Sequence, residues 1–79
     1  MVKLAYHGEL RDRVGVSGEE IPAASFKEVF RHILKAYGKE ACQIAKSGLV
    51  TLNQEKVTSL RARIPPGSVV GFYTFCTGG

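Results

Sequence analysis

The sequence predicts an α+β domain, a mixed sheet of four to five strands laid over one main amphipathic helix. Three observations carry that expectation. Residues 2–7 alternate between apolar and polar side chains, the period of a half-buried strand. Residues 25–38 carry a continuous apolar stripe at helical spacing between two recognisable caps. Residues 68–74 are strongly β-prone, nearly uncharged and free of proline.

The first strand places Val2, Leu4 and Tyr6 on one face and Lys3, Ala5 and His7 on the other. The segment Glu9-Leu10-Arg11-Asp12-Arg13-Val14-Gly15 reads as a charged connector closed by glycine, and Gly18–Ile21 as a short second strand ended by Pro22. Phe26, Val29, Phe30, Ile33, Leu34 and Tyr37 then fall on one side of a helix. Ser25 and Glu28 form a reciprocal capping box at its start, and Gly38 in the left-handed conformation stops it. Its opposite face carries Lys27, Arg31 and Lys35 at four-residue spacing, where like charges cost a few tenths of a kcal/mol per pair.

Residues 39–47 are weakly helical, with Ala41, Cys42, Ile44 and Ala45 as their apolar positions. Leu49–Leu52 reads as a strand, Asn53-Gln54 as a tight turn and residues 55–57 as a short return strand. In the final strand Val70 and Phe72 face one way, and Val69, Gly71 and Tyr73 the other. An exposed edge of that composition would invite aggregation, so this strand belongs inside the sheet. If first and last strands pair in the middle, they run parallel and the helix crosses between them. That arrangement is the β-grasp, or ubiquitin-like, fold.

The 79 residues make one domain, 1–79, with residues 75–79 expected as a flexible tail. Large clefts between domains are excluded at this size. No apolar run approaches the roughly 18 residues of a membrane span, and the start lacks the pattern of a signal peptide. Two cysteines, Cys42 and Cys76, read as reduced thiols, and a cytoplasmic location is expected. The lone His7 and His32 and the distant cysteines match no metal-ligand spacing, so no metal is expected. No phosphate-binding glycine loop or nucleophile elbow is present. A self-contained active site is therefore not expected.

The net charge of +4 favours an acidic protein partner over nucleic acid, because no aromatic side chains interleave the basic helix face as stacking platforms. The sequence ends Thr77-Gly78-Gly79. With nine glycines in 79 residues, a terminal pair arises by chance only about one time in a hundred. Glycine lacks Cβ and lets an extended backbone thread a narrow channel, so a Gly79 carboxylate can be presented to another protein's active site. A carboxylate ionised at neutral pH is a weak nucleophile toward an activated phosphate.

Five segments, taken in order, carry a family resemblance: Val2-Lys3-Leu4, Leu10-Arg11-Asp12-Arg13-Val14-Gly15, the capped helix, Leu52-Asn53-Gln54, and Gly67 leading through Val70-Gly71-Phe72-Tyr73 to Thr77-Gly78-Gly79. Over essentially its whole length the chain resembles the MoaD/ThiS family of ubiquitin-like sulfur carrier proteins. The resemblance implies that a MoeB/ThiF-type adenylating enzyme attaches AMP from ATP to the Gly79 carboxylate. A sulfur donor, a persulfide enzyme, then displaces AMP and leaves a C-terminal thiocarboxylate. The chain itself would bind no cofactor, since ATP is used by the partner. Gly78 and Thr77 would thread the tail.

With its full helix and the 39–47 extension, the chain looks more like MoaD, the small subunit of molybdopterin synthase, whose acceptor sits in a MoaE-type large subunit. The ThiS type, serving a thiazole synthase, is the alternative, and Thr74-Phe75-Cys76 is closer to its aromatic tail. A ubiquitin-like modifier joined to lysines through Gly79 is a further alternative. Positions that give MoaD its partner contacts correspond to His7, Lys56 and Tyr73, and Phe75 and Arg11 join them as candidates. Tyr73, Val69 and Phe75 form an exposed patch beside the tail unless residues 61–63 cover it. Cys42 reads as core, Cys76 as a packed small residue or a persulfide partner, and His32 as solvated.

Overall fold

In the computed structural model, which describes residues 1–74, the elements follow the chain as β1 (Val2–Tyr6), α1 (Gly8–Val14), β2 (Gly18–Ile21), α2 (Phe26–Tyr37), α3 (Lys39–Ser47), β3 (Leu49–Leu52), β4 (Glu55–Lys56) and β5 (Val69–Tyr73). The five strands form one sheet in the order β2-β1-β5-β3-β4. Only the central pair, β1 and β5, is parallel; β2 runs antiparallel to β1, and β3 to both β5 and β4. Placing β5 in the middle removes the hazard of its composition, because both of its edges are hydrogen-bonded.

Register sorts the side chains into two faces. Tyr6, Phe72 and Val50 lie opposite one another across three strands, and Leu4 lies opposite Val70, all on the inner face and all buried. Onto that face α2 packs Phe26, Val29, Phe30 and Ile33, and α3 adds Ala41, Cys42 and Ala45. Phe72 sits at the centre, stacked on Tyr6 at 5.8 Å and edge-on to Phe30 at 5.9 Å between ring centroids. The apolar stripe of α2 thus does what its spacing predicts, except that its outer member, Leu34, is 46% exposed.

Three local expectations need correction. The 9–15 connector is a helix, α1, which buries Leu10 and ends at Gly15 in the left-handed conformation, with the Gly15 N–H donating to the Arg11 carbonyl. At the start of α2, Ser25 Oγ accepts from the Glu28 N–H as expected, but the Glu28 carboxylate reaches back to the N–H of Ala24 rather than of Ser25. Gly38 has φ 99° but ψ 176°, an extended turn that only glycine adopts readily, and α3 follows it directly. The turn at Asn53-Gln54 is as anticipated, both residues having positive φ.

Candidate functional site

The outer face of the sheet is built by the same alternation that builds the core. Ala5, Gly71 and Thr51 stand side by side across β1, β5 and β3, continued by Gly18 on β2 and Lys56 on β4. Apart from Lys56, the members of the row have short side chains or none. Gly71 is required here: a Cβ would meet Thr51 Oγ1 at 2.6 Å and the Tyr73 ring at 3.0 Å, so its absence lets that ring lie over the sheet.

Tyr73 and Val69 flank the row on β5, 40% and 38% exposed. The loop at residues 61–63 does not cover them; Arg63 instead bridges to Ser25 at the start of α2. The two described members, Val69 and Tyr73, are therefore each exposed. Phe75, Cys76, Thr77, Gly78 and Gly79 lie outside the described residues.

Structure brings together two candidates that the sequence kept apart. The His7 ring stacks on Tyr73 with centroids 4.4 Å apart and planes 5° from parallel. His7 reaches this place because it follows β1 directly as the N-cap of α1, and its backbone N–H donates to the Phe72 carbonyl. Immediately after Tyr73, Thr74 is tied down: its hydroxyl donates to the His7 carbonyl at 3.0 Å and accepts from the Leu10 N–H at 3.4 Å. The chain can pass this close only because residue 8 is glycine, at φ 64°, where a Cβ would sit 2.8 Å from the Thr74 carbonyl oxygen. The start of α1 thus fixes the point from which the C-terminal segment departs.

Lys56 lies on the same outer face but two strands from β5, about 10 Å away at ordinary strand spacing. Arg11 is exposed on α1, and its side chain enters none of the hydrogen bonds or ion pairs found among the described residues. The candidates therefore form a tight pair, His7 and Tyr73, with Lys56 and Arg11 as outliers.

A second cluster had no sequence signal assigned to it. Glu19 Oε2 accepts from Tyr6 OH at 2.7 Å and Tyr37 OH at 2.7 Å, and lies 3.1 Å from His32 Nε2. An ionised carboxylate only accepts, so Nε2 carries the proton. His32 is accordingly not a solvated residue, as its position suggested, but a partner of Glu19. Burial pushes the Glu19 carboxyl upward, yet the hydrogen bonds from Tyr37, Tyr6 and His32 outweigh it and hold the group below its ordinary range. Burial, reinforced by Glu19, pushes Tyr6 upward and Tyr37 up to about 12.

The cluster joins β2 to β1 and α2, and its consequence is for stability. A carboxyl held low in the folded state contributes stability above its unfolded pKa of about 4.3 and loses it as pH falls through the folded value. Tyrosines held high contribute fully below about pH 10 and lose that contribution as pH rises through their folded values. Thermal denaturation should therefore show a neutral plateau falling at both ends. Glu19→Gln should lower stability at pH 7 by about 1–2 kcal/mol and flatten the acid limb. An acid limb unchanged in that variant would contradict the assignment.

Among the described residues no group of histidine, cysteine and carboxylate side chains could hold a metal ion. No described helix is long and apolar enough to cross a membrane. The molecule is thus a β-grasp domain whose outer sheet face and C-terminal departure point adjoin.

No protein-family model and no curated protein matches the sequence. Solved structures do match its fold. A chain of the BexX/CysO complex from Amycolatopsis orientalis is similar at a TM-score of 0.78 and 18% identity, over 100% of both chains. SAMP1 from Haloferax volcanii is similar at 0.72 and 12% identity, over 99% of this chain and 98% of that one. A chain of the complex of subunits 1 and 2 of the molybdopterin-converting factor from Helicobacter pylori is similar at 0.69 and 23% identity, over 99% and 97%. At such identities the likeness speaks for a shared β-grasp fold.

Proposed function

We propose that this chain is a sulfur carrier protein in which Gly79 is the reactive residue and the folded body is a docking module. The observation that carries the reading is the Gly78-Gly79 pair in sequence a few residues beyond the central strand of a β-grasp domain, a strand that exposes Val69 and Tyr73. The carboxylate oxygen of Gly79 attacks the α-phosphorus of ATP in an adenylating enzyme, and pyrophosphate leaves. A sulfide-level nucleophile from a sulfur donor then attacks the carbonyl carbon, AMP leaves with the bonding electrons, and a thiocarboxylate remains. The acceptor is the molybdopterin precursor, held by a larger synthase subunit, and the site of action is the cytoplasm. Support for the acceptor comes from the fold shared with a chain of the molybdopterin-converting factor complex.

His7 and Tyr73 contact the larger subunit, and Thr77 and Gly78 thread its channel. An aromatic pair beside the short residues Ala5, Gly71 and Thr51 suits such a role, because rigid rings bury area at low conformational cost. Tyr73→Glu should weaken binding of the synthase subunit by about tenfold or more, measured by calorimetry, while leaving the thermal midpoint within a few degrees of wild type. Unchanged affinity would remove the outer face from the interface.

The experiment that tests the function supplies the chain with an adenylating enzyme of this class and radiolabelled pyrophosphate. Exchange of label into ATP that depends on Gly79 supports the proposal. Subsequent conversion of molybdopterin precursor, rather than of a thiazole precursor or attachment to protein lysines, supports the acceptor. Absence of exchange with an enzyme that adenylates a related carrier would overturn it.

A further inference from the structure

Independently of the tail chemistry, we infer that the cleft between α2 and α3 docks an acidic amphipathic helix of a partner protein. The cleft has a volume of about 260 Å³ and is lined by Lys27, Phe30, Arg31, Leu34, Cys42 and Lys46. Its floor is apolar: Phe30 and Cys42 are each 7% exposed. Its rim is cationic, with no carboxylate in the lining. Lys46 Nζ stands 5.5 Å from the centroid of the Phe30 ring, which fixes one positive charge over the floor. Among the described residues neither Lys27, Arg31 nor Lys46 enters an ion pair; the two present are Arg13 with Glu40, and Glu19 with His32.

Such a face costs the isolated domain stability twice. Lys27 and Arg31 repel at i,i+4 spacing, and Leu34 holds its side chain 46% exposed beside them. Both costs are relieved by an occupant that brings carboxylates to the rim and an apolar side chain to the floor.

Charge and spacing decide the kind of occupant. Lys27 and Arg31 repeat along α2 at the rise of four helical residues, about 6 Å, and glutamates at i,i+4 on a facing helix repeat at the same interval. A leucine between them would lie over Phe30 and Leu34, the geometry of a helix in a groove. Nucleic acid fits less well, because the floor aromatic is buried and offers no stacking platform. A lipid surface needs several protruding apolar groups, whereas Phe30 and Cys42 are recessed and Leu34 is the one exposed apolar side chain in the lining. The cleft lies on the helical side of the sheet, opposite Tyr73, so both surfaces can be occupied at once.

The test is a titration of the isotope-labelled full chain with a short amidated peptide, leucines at i,i+4 spacing and glutamates between, at low salt. Saturable chemical-shift changes at Lys27, Phe30, Arg31, Leu34 and Lys46, sparing Tyr73, are expected. Arg31→Glu with Lys46→Glu should weaken binding about tenfold or more, and a peptide with lysines in place of glutamates should recover it on that variant. The substituted positions are charged and exposed, so the thermal midpoint should stay within a few degrees. Equal binding of a composition-matched scrambled peptide would overturn the inference. So would tighter binding at this cleft by a single-stranded oligodeoxynucleotide or by phosphatidylserine vesicles, or no saturable change at these residues.

Discussion

Phe72→Ala is expected to take most of the stability out of this domain. The side chain is fully buried at the centre of the inner sheet face, stacked on Tyr6 and edge-on to Phe30. Truncating a phenylalanine in such a place costs about 3–5 kcal/mol, since burial is lost and a cavity opens among residues from three elements. A chain of 79 residues has about 4–12 kcal/mol to lose. The thermal midpoint should fall by about 15 °C or more in circular dichroism, and the domain should be partly unfolded near body temperature. Tyr73→Ala supplies the control one residue away, because the next side chain on the strand points to the outer face and is 40% exposed. Similar losses from the two substitutions would contradict the assignment of faces.

Removing Gly79 is the second large effect, and it is expected in function alone. Shortening an extended chain by one residue withdraws the carboxylate by about 3.3 Å. Misplacement of a reacting group by about 1 Å already costs on the order of a hundredfold, so adenylation should fall by at least that factor. Adding one residue beyond Gly79 should do the same. Because the proposal gives the terminus no part in holding the fold, the thermal midpoint should not move in either variant. A drop of several degrees would make the segment structural and remove the premise of a presented carboxylate.

How far the sequence spoke depended on whether each element's cause is local. The alternation of Val2, Leu4 and Tyr6, the stripe of α2 with its Ser25 cap, and the charge-poor run of β5 are local causes and survive, apart from the exposed Leu34, the return half of the capping box and the left-handed Gly38. The central place of β5 was legible for the same reason, since its composition is tolerable only between two neighbours. α1 was not legible because its periodicity is one pair, Leu10 with half-buried Val14, and its first residue has no side-chain cap. What makes it a helix is tertiary, the burial of Leu10 and the hold of Thr74 on its first turn. The left-handed Gly15 and the basic last turn were available signals, though weak ones alone.

The site divides in the same way. His7 and Tyr73 were each named from a resemblance, but their stacking joins residues at opposite ends of the chain and no spacing encodes it. Glu19 could have been placed on the inner face by alternation from Ile21, two residues on. Its three donors come from β1 and two positions of α2, so only the folded chain assembles the cluster. The basic face of α2 was visible at once; its apolar floor needed α3 to be docked beside it.

The most direct test of the carrier account is the mass of the intact chain, followed by fragmentation, after incubation with an adenylating enzyme, ATP and a sulfur donor. The predicted result is replacement of one oxygen by one sulfur, localised to Gly79. Sulfur gained as an addition at Cys76, or an unaltered mass where a related carrier is converted, would contradict it.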